Sequence, residues 1–133
     1  MVADDRATPQ LRKLGLTPGA RWSVDGAAAS WLFEVAPDPA DEVAEGAPAD
    51  VVLAFVTSAA QLEPTLARLE RSVFPDGTLW IAWPRKATGH ISDITDNVVR
   101  DAALARSLVD TKVAAIDVDW SGLKLVWRVN ARS

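Results

Sequence analysis

The six residues Val51-Val52-Leu53-Ala54-Phe55-Val56 form an unbroken apolar run inside the stretch Asp50 to Lys86, DVVLAFVTSAAQLEPTLARLERSVFPDGTLWIAWPRK. A strand with one face in water alternates apolar and polar residues, so a continuous run predicts a strand covered on both faces, as in a parallel sheet. Ser58 followed by Gln61 matches a capping box, and Leu62, Leu66, Leu69 and Val73 then recur at helical spacing on one face. Pro64 sets a condition on that helix: it starts nearer Gln61, or its first turn is irregular. Pro75-Asp76-Gly77 supplies a stop and a turn, and Thr78 to Trp83 is a second apolar strand ended by Pro84. The stretch therefore reads as a strand, a crossover helix and a parallel strand.

The rest of the chain extends this unit. Thr8-Pro9 before Leu11 and Leu14 reads as a helix start, and Gly15 as its stop. Ala20 to Val24 is a short first strand with Trp22 and Val24 on one side, ending at Asp25-Gly26-Ala27. Ala28 to Val35 reads as a short helix or a strand, with Trp31 and Val35 sharing a face in the helical case. Residues 37–48 form an acidic loop with a brief strand or turn near Val43. Asp93 or Thr95 caps a helix that carries Ile94, Val98, Val99, Ala102 and Leu108 inward. Thr111 to Val118 and Leu123 to Val129 form a terminal hairpin through Asp119-Trp120-Ser121-Gly122, with Leu123, Leu125, Trp127 and Val129 facing the core. The expected fold class is α/β: a reduced Rossmann-like three-layer sandwich, its sheet mostly parallel, closed by a C-terminal antiparallel hairpin.

At 133 residues and 49% hydrophobic content the sequence suits one domain with a substantial core, preceded by a flexible arm over residues 1–8. A net charge of −4 opposes broad attraction to nucleic acid or to anionic membranes. With no cysteine there is neither a disulfide framework nor thiolate chemistry, and with no signal segment or long apolar span a cytoplasmic location is expected. His90 is the single histidine, so no paired-histidine spacing exists and no metal site is expected. No glycine-rich phosphate loop follows the first strand, and no serine, histidine and carboxylate can be paired by spacing, so no cofactor is assigned and catalytic residues stay unknown.

An open parallel sheet places ligands outside the carboxyl ends of its strands. That expectation gathers Asp25, Gly26, Thr57, Ser58, Arg85, Lys86, Thr88 and Gly89, with a small anion received at the helix N-terminus after Ser58 and charge added by Arg85 or Lys86. The bland readings stand beside it: Gly26 eases a tight turn, Ser58 only caps a helix, and Arg85 and Lys86 are solvated. Among six tryptophans, Trp22, Trp80 and Trp127 suit the core, Trp80 and Trp83 fall on opposite sheet faces, and Trp120 on the hairpin turn is the candidate partner contact. The hairpin also leaves an edge on which a second copy could pair as a homodimer.

Two resemblances enter here. The order buried strand, helix, GTLWIAWP strand, helix and hairpin is similar to the second half of a class I S-adenosylmethionine-dependent methyltransferase fold. WPRKATG, SDIT, NVVRDAAL, LVDTKVAAID and WSGLKLVWR resemble a bacterial family of small uncharacterised proteins, a domain of unknown function, over roughly Leu14 to Arg128; that resemblance implies no established activity. Between Ala27 and Asp50 only about two dozen residues are available where the methyltransferase fold needs two helices and two strands. The acidic residue that would hold a ribose falls in that missing part. The expected function is thus a non-catalytic binding or interaction module, the alternative being a small transferase or nucleotide-cofactor enzyme.

Overall fold

The computed structural model describes residues 9–86 and 92–132. Its strands are β1 (Trp22–Asp25), β2 (Val51–Phe55), β3 (Thr78–Pro84), β4 (Leu108–Ala115) and β5 (Trp120–Trp127), with helices α1 (Gln10–Leu14), α2 (Leu62–Leu69) and α3 (Asp96–Leu104). They form a five-stranded sheet in the order β1-β2-β3-β5-β4. Among the described residues no helix is long and apolar enough to cross a membrane.

The sheet is mixed, which corrects the expected mostly parallel, Rossmann-like sandwich. β1 pairs with β2, and β2 with β3, in parallel over four and five positions. β5 pairs antiparallel with both β3 and β4, over six and seven positions, so the antiparallel ladders are the longer ones. The cause is the hairpin, whose second strand returns between β3 and β4 instead of lying outside β4.

Layering departs from expectation too. Val52, Ala54, Leu79, Ile81, Leu123 and Leu125 point to one face, where both α2 (Leu62, Leu66, Leu69) and α3 (Val99, Ala103) cover them. The other face carries Val51, Leu53, Phe55, Trp80 and Ala82, under five-residue α1 and the irregular segment with Trp31 and Phe33. All five residues of β2 are buried, in keeping with the unbroken apolar run, but a loop rather than a second long helix supplies half of the cover.

Local chemistry fixes the element ends. Gly15 closes α1 at φ 83°, a left-handed position that favours glycine, and the Trp80 indole N–H donates to the Leu14 carbonyl at 3.1 Å to tie α1 to the sheet. A single turn of 3₁₀ helix, Ala59–Gln61, precedes α2, which places Pro64 in the first α-helical turn, where its missing N–H breaks no bond. Thr95 caps α3, its hydroxyl accepting from the Val98 N–H at 3.2 Å.

Several boundaries move. α3 ends at Leu104, and Leu108 opens β4 instead of closing the helix. Neither helix nor strand forms over residues 28–35, where Trp31 turns inward and Val35 is exposed, so they share no face. A 3₁₀ turn at Pro39–Asp41 and a bridge from Glu42 to Trp22 order part of the acidic loop and shield the outer edge of β1. Val129 lies beyond β5 and is exposed, so the core face of that strand stops at Trp127. On the opposite side a bulge between Asp110 and Lys112 interrupts the outer strand β4, a device that blunts edge pairing.

Candidate functional site

Asp25 ends β1, and Gly26 turns the chain away at φ 73°. A Cβ at Gly26 would stand 2.6 Å from the Phe55 carbonyl oxygen, so this close approach of two strand ends requires glycine. Thr57 follows β2, and α2 runs back above the sheet. Together they bound a cleft of about 370 Å³ lined by Asp25, Gly26, Phe55, Thr57, Gln61 and Arg68 among others.

The charges in this cleft are paired within the chain. Arg68 of α2 donates to both Asp25 oxygens at 2.7 and 3.0 Å, and Glu45 of the acidic loop lies 3.5 Å from the same guanidinium. The hydrogen bond from Arg68 holds the Asp25 carboxyl below the ordinary aspartate value, against the raising effect of burial. With two carboxylates on one guanidinium, the Arg68 charge is already compensated and offers an incoming anion little attraction.

The helix N-terminus is likewise filled. Ser58 and Gln61 form the expected capping box, with Gln61 Oε1 accepting from the backbone N–H of Thr57 at 2.6 Å and of Ser58 at 3.3 Å. The Asp93 carboxylate accepts the Ala59 N–H at 2.7 Å, and the Ser92 hydroxyl donates to the Thr57 carbonyl at 3.1 Å. The chain's own carboxylate thereby takes the place that a bound anion would occupy.

The remaining sequence candidates lie elsewhere. The Arg85 N–H donates to the Asp119 carbonyl at 2.8 Å, and its guanidinium reaches the carbonyls of Val118 and Asp117 at 3.2 and 3.5 Å, which draws it to the β4–β5 turn. Lys86 borders a separate cleft of about 300 Å³ with Trp83, Thr95, Asp96 and Ser121. Thr88, Gly89 and His90 lie outside the described residues. Trp120 is the first residue of β5, not a turn residue; half-buried, it packs edge-on against Phe55 with ring centroids 4.8 Å apart. The turn falls at residues 116–119, three positions earlier than the pattern indicated, and Asp117 makes it by accepting from the N–H groups of Asp119 and Trp120 at 2.8 and 2.9 Å.

Sequence reasoning missed Arg68, Glu45 and Asp93. Arg68 lies on the polar side of an amphipathic helix, Glu45 is one acid among several in its loop, and Asp93 looked like a cap for the helix that follows it rather than the one before. Among the described residues no group of three or more His, Cys, Asp or Glu side chains is placed to hold a metal. No protein-family model matches the chain, and a comparison with curated proteins finds no match either.

Proposed function

We propose that the protein is a non-catalytic binding module whose occupant sits in the cleft between β1, β2 and α2. The observation behind this reading is the pairing of Arg68 with Asp25 and Glu45: the groups best suited to proton transfer or to anion binding there already satisfy one another. The polar atoms of Thr57 and Gln61 at this end of the sheet suit an uncharged or zwitterionic small molecule better than a free anion. A fixed polar cleft of this kind binds and orients but holds no activated nucleophile.

A thermal-shift panel of small metabolites grouped by charge, followed by amide chemical-shift mapping of each hit, tests the reading. Ligand at one hundred times its dissociation constant adds about 2.7 kcal/mol, which moves the melting temperature by several degrees. Uncharged or zwitterionic hits that perturb Gly26, Thr57 and Gln61 support the module; hits that leave all three unmoved overturn the site. S-adenosylmethionine and common nucleotides belong in the same panel, because micromolar binding of either would establish the transferase or nucleotide-cofactor alternative instead.

A further inference from the structure

A cavity of about 290 Å³ is bounded by α1, the turn that leads into β1 and the loop that crosses the outer edge of β1. Its lining is mainly apolar, with Leu11, Leu16, Trp22 and Pro37, and it also carries Asp38 and Asp41. Leu16 and Trp22 belong to the core and Pro37 is buried, so these walls are fixed. Hydrogen bonds tie the two sides together: the Gly19 N–H donates to the Asp41 carboxylate at 3.2 Å, and the Trp22 indole N–H donates to the Asp38 carbonyl at 3.0 Å. The Asp38 carboxylate accepts the Ala40 N–H at 2.9 Å and so caps the 3₁₀ turn at Pro39–Asp41. Each carboxylate thus engages one oxygen with a backbone N–H, and among the described residues neither is joined to a cation. The nearby cations are turned elsewhere: the Arg21 guanidinium reaches both Asp50 oxygens at 3.4 Å, and the Lys13 ammonium donates to the Ala115 carbonyl at 3.0 Å.

We propose that this cavity binds a small hydrophobic amine in its ammonium form, its apolar body among Leu11, Leu16, Trp22 and Pro37 and its charge at Asp38 and Asp41. Removing the body from water supplies affinity, and a charge-assisted hydrogen bond to a carboxylate fixes the orientation. An anion would be repelled, a neutral apolar molecule would leave both carboxylates without a counter-charge, and a compact diamine would press its second charge against walls that cannot solvate it. The volume lies at the small end of the ligand-pocket range of about 300–1,000 Å³, which suits a whole small molecule rather than a length of polypeptide. The cavity shares no lining residue with the α2 cleft, so the two sites stand or fall separately.

Benzylamine and benzyl alcohol, alike in shape and different in charge, are the probes, titrated by calorimetry at neutral pH and followed in proton–nitrogen spectra. Benzylamine is expected to bind saturably, about tenfold tighter than either benzyl alcohol or 1,4-diaminobutane, and to weaken as salt is added. It should move the Gly19 amide and Trp22 indole signals. Asp41→Asn keeps an oxygen for the Gly19 N–H and should weaken benzylamine about fivefold while leaving benzyl alcohol unchanged, and Asp38→Asn should act in the same way. Ala36→Leu, at an exposed position of the lining, should weaken both probes about threefold by taking up space, and it carries the test should either aspartate variant fail to fold. Equal affinity for benzylamine and benzyl alcohol, a diamine bound as tightly as benzylamine, signal changes confined to residues outside this cavity, or no saturable binding would each overturn the proposal. So would tighter binding of N-acetyl-lysine methylamide than of benzylamine, which would assign the cavity to a polypeptide side chain.

Discussion

Asp25 and Arg68, 43 residues apart in sequence, close a two-pronged ion pair at 2.7 and 3.0 Å that joins the end of β1 to α2. Because the folded Asp25 carboxyl titrates below its unfolded value, the stabilisation is complete above the ordinary carboxylate range and is lost as pH falls through the depressed folded value. Asp50 acts in the same direction, its carboxyl lowered first by the Arg21 backbone N–H. Melting temperature should therefore stay flat from neutral pH to about pH 5 and fall below about pH 4. Asp25→Asn should flatten part of that fall, and an acid profile identical to the wild type would show that the pair contributes nothing. The Arg68 side chain is 43% exposed, so water screens the pair, and Arg68→Ala should cost only about 1 kcal/mol.

Two glycines separate backbone from side-chain crowding. At Gly26 a Cβ meets a backbone oxygen at 2.6 Å and the residue sits at φ 73°, so neither partner can yield. At Gly122 a Cβ meets the Ile116 Cδ1 at 2.5 Å and the Trp80 ring at 3.1 Å, and side chains can shift. Urea unfolding should place Gly122→Ala about 1–2 kcal/mol below wild type and Gly26→Ala lower still, by more than about 2 kcal/mol. The reverse order would mean that the β1 and β2 ends are less tightly apposed than their geometry indicates.

Trp120 belongs to the fold before it belongs to any partner. Trp120→Ala removes the ring that packs on Phe55, and should destabilise by about 2–3 kcal/mol without any ligand present. A cost within about 0.5 kcal/mol, the norm for an unengaged surface residue, would return Trp120 to the role of a pure contact residue.

The sequence made the strands legible but misled on the sheet's pairing, expected to be mostly parallel and found to be mixed. Apolar runs at Val51–Val56 and Thr78–Trp83 locate β2 and β3 because burial on both faces leaves no room for alternation, and the pattern of Leu62, Leu66 and Leu69 locates α2 for a similar reason. The place of β5 beside β3 depends on pairs about forty residues apart, from Pro84 with Trp120 to Leu79 with Leu125, which no local period records. Trp31 was ambiguous for the same reason: its partners Phe33, Phe55 and Asp117 hold an irregular segment that has no period of its own. Of the site, the glycine turn and strand ends were readable from Asp25-Gly26 and Thr57-Ser58. The counter-charges were not, since Arg68, Glu45 and Asp93 reach their partners only in three dimensions.

Arg106, just past α3, donates to both oxygens of Glu70 at 3.0 and 2.9 Å and to Glu63 at 3.2 Å. Glu63 and Glu70 are seven residues apart, two turns along α2 and its 3₁₀ extension, so one planar guanidinium spans both and fixes α3 beside α2. Lysine keeps the charge but cannot form the fork, and Arg106→Lys should therefore cost about 1 kcal/mol. Glu63→Gln should cost less, because Glu63 is 58% exposed and its share is screened. A double-mutant cycle of Arg106→Lys with Glu70→Gln isolates the pair: coupling of about 1 kcal/mol is expected, shrinking in high salt. Additive losses would mean that the two helices are held by Leu66, Leu69, Val99 and Ala103 alone, with the guanidinium a bystander at their margin.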